Sequence, residues 1–460
     1  MALENVRDLL EQVVGYASAR GVELAEFRVE RRKATRIELI DGSMVANAAV
    51  DYGVAVRVYV NGSFGFAYTT RLSREKVIDV FNRALALARG ASAGLPKPLI
   101  LDPLEGEYTH PVKVSVEDVS EEQKISDIVG FDKLLAKAPH VKSRTVVYTD
   151  IVEDKFYAST EDRYIHERRE LAYMYASVYG QEAGVRGSAH IVLGTAKGYA
   201  LWYKYDPEKE AERLSMRLRN QLEAATPKAG VFPVILAPEA LGVFVHEAFG
   251  HLAEADLVVA GSVLRGKKGQ KVASELVTIV DDPYIDDGFG TFRFDDEGVK
   301  TAKAVIVDRG VHRQVMTDRL HAQMLGEKPT GNARAESFRH PPLVRMRNTY
   351  MEPRDASLEE MLEGIKFGYY VVSTGGGQTN IDGSFQVGVE EAYEIVNGEI
   401  GRPVRNLAIA GNTLETLLNI DMVGKDFELH YGRCGKGQLV YVSDGGPHVR
   451  VRRMTVGGRA

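Results

Sequence analysis

The sequence predicts an α+β fold in two domains: antiparallel strands with flanking helices over residues 1–228, then a mainly β domain over 229–460. Three observations carry this. The chain has 460 residues, more than one hydrophobic core usually serves. It has 45 glycines, above the average share of about 7 %, which points to many turns and close backbone approaches. Helical and strand spacings of apolar residues alternate up to about residue 228, and from Val231 onward give way to short strands among glycines and aspartates.

Leu3, Val6, Leu9, Leu10, Val13, Val14 and Ala17 repeat at three-to-four spacing and predict a helix that Gly21 closes. Strands follow at 24–31, 36–40, 44–50, 54–60 and 63–69. Asp41-Gly42 and Asn61-Gly62 supply tight turns between them, so consecutive antiparallel hairpins are expected. Val77, Val80, Phe81, Ala84 and Ala88 restore the helical period over 73–89. Residues 90–110, with Pro96, Pro98 and Pro103, read as a linker or an irregular excursion. A helix at 121–137, strands at 145–152, 164–179 and 189–193, and a charged helix at 207–224 complete the first domain. In the second, a strand at 231–236 precedes a helix that Pro238 opens. Its buried stripe is Leu241, Phe244, Val245, Ala248 and Leu252, and it runs to about Asp256. Strands at 303–307, 369–373, 392–396, 407–410 and 439–443 make the remainder mainly β.

The formal net charge of -6 supplies no broad attraction for nucleic acid or an anionic membrane. Arg450, Arg452, Arg453 and Arg459 form a basic tail, read as a solvated strand. The longest apolar stretch, 231–245, is interrupted by Pro233, Pro238 and Glu239, short of the roughly 20 residues a bilayer needs. Charges at Glu4, Arg7 and Asp8 stand where a signal peptide would be apolar. One cysteine rules out an intrachain disulfide framework and fits a reducing compartment. A soluble cytoplasmic chain is expected.

The helix opened by Pro238 contains His246-Glu247-Ala248-Phe249-Gly250-His251. A catalytic zinc site needs three protein ligands, an open position for water and a carboxylate to take the water's proton. Two imidazoles and Glu247 as general base supply most of this. The common zinc-protease motif, HExxH, spaces its histidines by four. Here the spacing is five, and on a regular helix five steps turn through about 140°, which separates the rings. A π-bulge absorbs the extra residue and restores a shared face. Gly250 is where the backbone yields most readily. Read singly, each histidine is better explained as a core or hydrogen-bonded residue beside Phe244 and Phe249, a reading that the trio weakens.

Cys434 lies in the glycine-flanked run Tyr431-Gly432-Arg433-Cys434-Gly435-Lys436-Gly437-Gln438. A free cysteine is often a small buried residue. Arg433 and Lys436 favour a thiolate, apolar neighbours are absent from the run, and Cys with two His is an accepted catalytic zinc set.

Several motifs in the same order resemble the TldD half of the TldD/PmbA family, once described as modulators of DNA gyrase and now regarded as zinc-dependent peptidases. They are the His246 to His251 motif, Asp295-Asp296-Glu297-Gly298, Thr330-Gly331-Asn332-Ala333-Arg334, Arg345-Met346-Arg347-Asn348-Thr349, the glycines 375–377 and Cys434-Gly435-Lys436. The resemblance covers nearly the whole chain. It implies His246, His251 and Cys434 as zinc ligands, Glu247 as catalytic base and 229–460 as a metallopeptidase domain. It also implies a chamber between subunits, and unfolded proteins or peptides as substrates. The partner would be a TldE (PmbA)-like subunit, which lacks the HExxxH, or a second copy in a homodimer. The family's TGN-x-R-R element reads here with Ala335 after Arg334, which puts in doubt a role for a second arginine.

Arg334, Tyr431 and His448 are candidates for stabilising an oxyanion, each with a plain structural alternative. Asp281-Asp282 and Asp295-Asp296-Glu297 are weaker candidates for a cation, since acidic loops are usually solvated. The glycines 375–377 lack a following helix and a P-loop lysine, so a turn is favoured over a phosphate cradle. Two other functions compete with a peptidase: a non-catalytic regulator of the gyrase-modulator type, and a zinc amidase or deacylase for small molecules. Cys434→Ser is expected to bind less zinc than the wild-type chain on metal analysis. Undiminished zinc would remove the cysteine from the site.

Overall fold

The computed structural model describes residues 5–458; Leu3, assigned above to the first helix, and Arg459 of the basic tail lie outside them. The first strands are β1 (Leu24–Ile40), β2 (Ser43–Val60), β3 (Ser63–Thr69), β4 (Leu104–Thr109), β5 (Val141–Ser159), β6 (Arg163–Glu182) and β7 (Val185–Thr195). They form one sheet in the order β3-β2-β1-β5-β6-β4, with β7 also paired to β6. The apolar odd-numbered residues of β1 enter the core beneath the helices. Phe27 and Val29 pack with helices Val6–Ser18 and Arg74–Gly90, and Ile37 and Leu39 with Glu121–Lys137 and Pro207–Glu223.

The even-numbered face of β1 carries Glu26, Arg28 and Glu30, and all three are buried. They lie against the second half of the chain: Arg28 donates to the carbonyls of Ser337 and His340, and Arg57 joins Glu26 to Glu297. β1 and β2 are single strands of 17 and 18 residues where the pattern suggested two each, because Arg32 to Thr35 and Asp51 to Gly53, which interrupt the apolar pattern, stay in the ladder. The segment 90–110 also departs from expectation. Its end is β4, parallel to the start of β6.

From residue 230 the chain builds a closed ring of strands: Phe367–Thr379, Gly230–Leu236, Val449–Gly458, Leu407–Asn412 and Ser384–Val396, the last pairing back to the first. A six-stranded sheet beside it contains Ile279–Asp281, Asn348–Met351, Leu439–Gly446 and Glu428–Gly435. The basic tail is a strand inside the ring, with Arg452 and Arg453 exposed and Val449, Val451, Met454 and Val456 buried. The fold is α+β, as expected. Among the described residues no helix is long and apolar enough to cross a membrane.

One ion pair in the six-stranded sheet is sealed from water. Arg347 donates from Nε to Asp281 at 2.6 Å, and both side chains are 0 % exposed. The same carboxylate accepts from Thr349, Asn332 and the Arg347 backbone N–H. Burial alone would raise the Asp281 carboxyl, but Arg347 and these donors hold it below the ordinary carboxylate value. Asp281→Ala strands a buried guanidinium and is expected to lower stability by about 3–5 kcal/mol, read from the denaturation midpoint. The carboxylate's share is complete above the unfolded-chain pKa of about 3.9 and is lost as pH falls from there through the lower folded value. The stability gap between wild type and Asp281→Asn should therefore narrow only in that acid range.

Candidate metal centre

The helix opened by Pro238 is regular only over Pro238–Val243. Phe244–Phe249 is a π-turn, followed by a 3-10 turn over Gly250–Ala253. The Gly250 N–H is shared between the carbonyls of His246 and Val245, the second an i to i−5 bond. That widened turn brings residues five apart to one face, and the His246 and His251 ring centroids lie 5.4 Å apart. Gly250 itself has an ordinary helical conformation, φ -57 and ψ -47. Its lack of a side chain is required by packing instead, since a Cβ there would stand 2.1 Å from Met346 Sδ. The helix does not run to Asp256 as one element: Glu254 is extended, with ψ 127, and a separate helix, Ala255–Ala260, follows.

Cys434 arrives from the strand Glu428–Gly435, on the same face as His430 and Gly432. Its Sγ lies 3.4 Å from His251 Nε2. One donor atom from each of His246, His251 and Cys434 falls within 4.8 Å of the others. Among the described residues this is the one group of three or more potential ligands so placed. Both ring nitrogens of His246 are buried with no hydrogen-bond partner among the described residues, a condition rare for a buried imidazole and suited to a ligand. Glu247 is one-third exposed, with Oε2 3.8 Å from His251 Nε2.

Behind His251 stands a carboxylate that the motif does not announce. His251 Nδ1 donates to Glu254, which is 0 % exposed and is paired in turn with Lys436 at 3.0 Å. Lys436 also binds Asp256 and the Val344 carbonyl. Lys436 thus serves the outer carboxylates, and Cys434 is a member of the apolar core, contrary to the reading of its flanks. Burial would raise the thiol, but the His246 and His251 imidazoles bring it down to about 4. Burial would lower His251, and Glu254 with Cys434 raises it to about 10. The thiol is therefore held as a thiolate beside the His251 imidazolium, and a metal ion bound there displaces that proton.

A cleft of about 230 Å³ opens beside His246 and Glu247, bounded by His190, Thr374, His430 and Asp444. The three oxyanion candidates do not present their polar groups to it. Arg334 is buried elsewhere, donating to the carbonyls of Met346 and Tyr441. His448 is held by Asp426 and the Tyr370 hydroxyl. Tyr431 lines the cleft, but its hydroxyl is engaged by Lys204 and Asp287. The acidic runs are likewise spent inside the protein. Asp295 accepts three backbone N–H groups, Asp296 meets Lys155, and Glu297 meets Arg57. The glycines 375–377 belong to the strand Phe367–Thr379, where the ladder skips Gly375 and Gly376, and are not a simple turn. Sequence reasoning missed Glu254, His430 and Asp444. Only Glu254 left a signal, a carboxylate three residues past the second histidine.

Three family models match: PmbA/TldA metallopeptidase domain 1 over residues 25–88, the central domain over 115–222 and the C-terminal domain over 229–458. A zinc metalloprotease TldD homolog of Saccharolobus solfataricus is 38 % identical over 442 residues, covering 95 % of this chain and 97 % of that protein. The chain belongs to the TldD/PmbA family. A metalloprotease of Methanothermobacter thermautotrophicus is 37 % identical, covering 95 % of this chain and 96 % of its own length. The fold is that of TldE from Thermococcus kodakarensis, at TM-score 0.83 and 21 % identity over 98 % of this chain and 100 % of that one. A putative modulator of a DNA gyrase from Thermotoga maritima aligns at TM-score 0.81 and 23 % identity over the same shares.

Two of the motifs that carried the TldD/PmbA resemblance, those containing Asn332 and Arg345-Met346, support the surroundings of the triad. Arg345, fully buried, donates to the carbonyls of Cys434 and Gln438 and so fixes the cysteine turn. Asn332 bridges Asp281 to the Arg345 carbonyl. Met346 fills the space that Gly250 leaves empty. Gly250→Ala is expected to lower stability by about 1–3 kcal/mol through overpacking. The loss should shrink when Met346→Ala is added, as a double-mutant cycle of unfolding free energies would show.

Proposed function

We propose that this family member is a zinc-dependent metallopeptidase that hydrolyses peptide bonds of unfolded proteins or peptides. His246, His251 and Cys434 hold the zinc and Glu247 is the general base. The observation that carries this is the placement of Glu247, on the cleft side of a buried triad and immediately beside it in the chain. The unpartnered nitrogens of His246, the depressed thiol and the carboxylate behind His251 fit the donor set of a catalytic zinc. Bound there, zinc supplies a Lewis acid for the scissile carbonyl and acidifies a water molecule. Glu247 takes the water's proton and returns it to the leaving amine.

The cleft supports this reading of the substrate class. It lies where the first sheet, through His190, meets the strand ring, through Thr374 and Gly376. Backbone groups of Gly375 and Gly376 are free of the ladder and offer hydrogen bonds to an extended chain. Main-chain recognition of that kind makes little demand on sequence and excludes folded substrates. A second subunit of the same fold, TldE-like or another copy of this chain, would close the chamber; the shared fold with TldE supports this. Glu247→Ala is expected to lower hydrolysis of an unfolded protein by about 10²-fold or more, with zinc content unchanged. Peptidase activity retained by the purified variant would end the assignment of the base.

A further inference from the structure

The two imidazoles of the triad differ in what stands behind them. His251 donates from Nδ1 to Glu254. His246 is 3 % exposed and neither ring nitrogen has a partner. When one of these nitrogens serves a metal ion, the other is an N–H donor in a dry site, and such a donor left unpaired is strongly disfavoured. Ligating histidines as a rule give that N–H to a carboxylate or carbonyl, which fixes the tautomer and the ring orientation.

A carboxylate in the same unpaired condition lies on the same helical face. Asp444 is 9 % exposed, and its Oδ1 is buried without a partner. A Cβ placed on Gly242 would stand 2.3 Å from that oxygen, so Asp444 packs directly against the helix. Gly242 precedes His246 by four residues, one turn back along one face. Helical side chains lean over the turn N-terminal to their own Cα, so the His246 ring extends toward the patch that Asp444 occupies. Both residues line the cleft. Of the other carboxylates nearby, Glu239 is engaged by Arg217, and Glu247 is already given to the water's proton in the function proposed above. His430 stands opposite Asp444 across the strand pair, with its own Nε2 unpartnered.

We infer that Asp444 is the positioning residue of His246: its carboxylate accepts the N–H of the ring nitrogen that does not ligate, as Glu254 does for His251. The inference rests on the metal centre proposed above. It gives each imidazole a carboxylate from a different part of the fold, Glu254 from the next turn and Asp444 from the strand Leu439–Gly446.

The test is zinc affinity of the full chain by competition with a chromophoric chelator, for wild type, His246→Ala, Asp444→Ala and Asp444→Asn, with the melting temperature of each metal-free protein. Asp444→Ala is expected to weaken zinc binding by about ten- to a hundred-fold. Asp444→Asn keeps an acceptor oxygen and should lose less than about ten-fold. Neither should lower the metal-free melting temperature, because the carboxylate has no partner there to lose. Wild-type affinity in Asp444→Ala would overturn the inference. So would an asparagine variant as weak as the alanine one, or a metal-free chain that melts early or fails to fold, which would place Asp444 in the scaffold. Zinc binding absent from wild type, or unchanged in His246→Ala, would instead overturn the metal centre itself.

Discussion

Arg347 and Asp281 meet without solvent exposure on either side, and the segment they anchor carries the two side chains, Arg345 and Met346, that reach the surroundings of the donor triad. A carboxylate in that position is tolerable only with all its lone pairs used, and Arg347, Thr349 and Asn332 use them. Once the segment is fixed, Arg345 reaches the carbonyls of Cys434 and Gln438, and Met346 reaches the empty side of Gly250. One buried ion pair thus sets the position of the cysteine turn and of the distorted helix together. Loosening it would be felt at both histidines and at the thiol.

The junction between the first sheet and the second half of the chain follows the same logic on a larger scale. Glu26, Arg28, Glu153, Asp296, Glu297 and Arg319 are all buried there, in ion pairs or against backbone carbonyls. Charges in a dry interface demand particular partners, so the two parts have few ways to dock. The cleft beside Glu247 is built from both, with His190 and Arg217 from the first and Glu239, His430 and Asp444 from the second. Its shape is a product of that docking.

The histidine spacing shows how far local geometry can be read from a string of residues. A spacing of five positions between two ligands cannot be reconciled with 3.6 residues per turn, and the π-turn at Phe244–Phe249 resolves the conflict. Gly250 was singled out for backbone freedom and is instead required by Met346, a neighbour that no local pattern reveals. The buried charged face of β1 shows the opposite limit. Glu26, Arg28 and Glu30 lie inside the expected strand 24–31 yet are buried, because polarity is informative about exposure only when no other charged surface covers it.

The sequence by itself determined what recurs along a single element: the amphipathic helices at Val6–Ser18, Arg74–Gly90, Glu121–Lys137 and Pro207–Glu223, the α+β class, and a helix that had to be distorted between two histidines. It also carried the family, through motifs in a fixed order. Only the tertiary structure brought Cys434 to His251 across 183 positions. It alone placed Glu254 and Lys436 behind one imidazole and laid Asp444 against Gly242. It also withdrew Arg334, Tyr431 and His448 into structural hydrogen bonds. The physical reason is that periodicity encodes which face of an element is buried, whereas the partner of a polar group depends on strand register and docking. Those are settled by contacts between residues far apart in the chain.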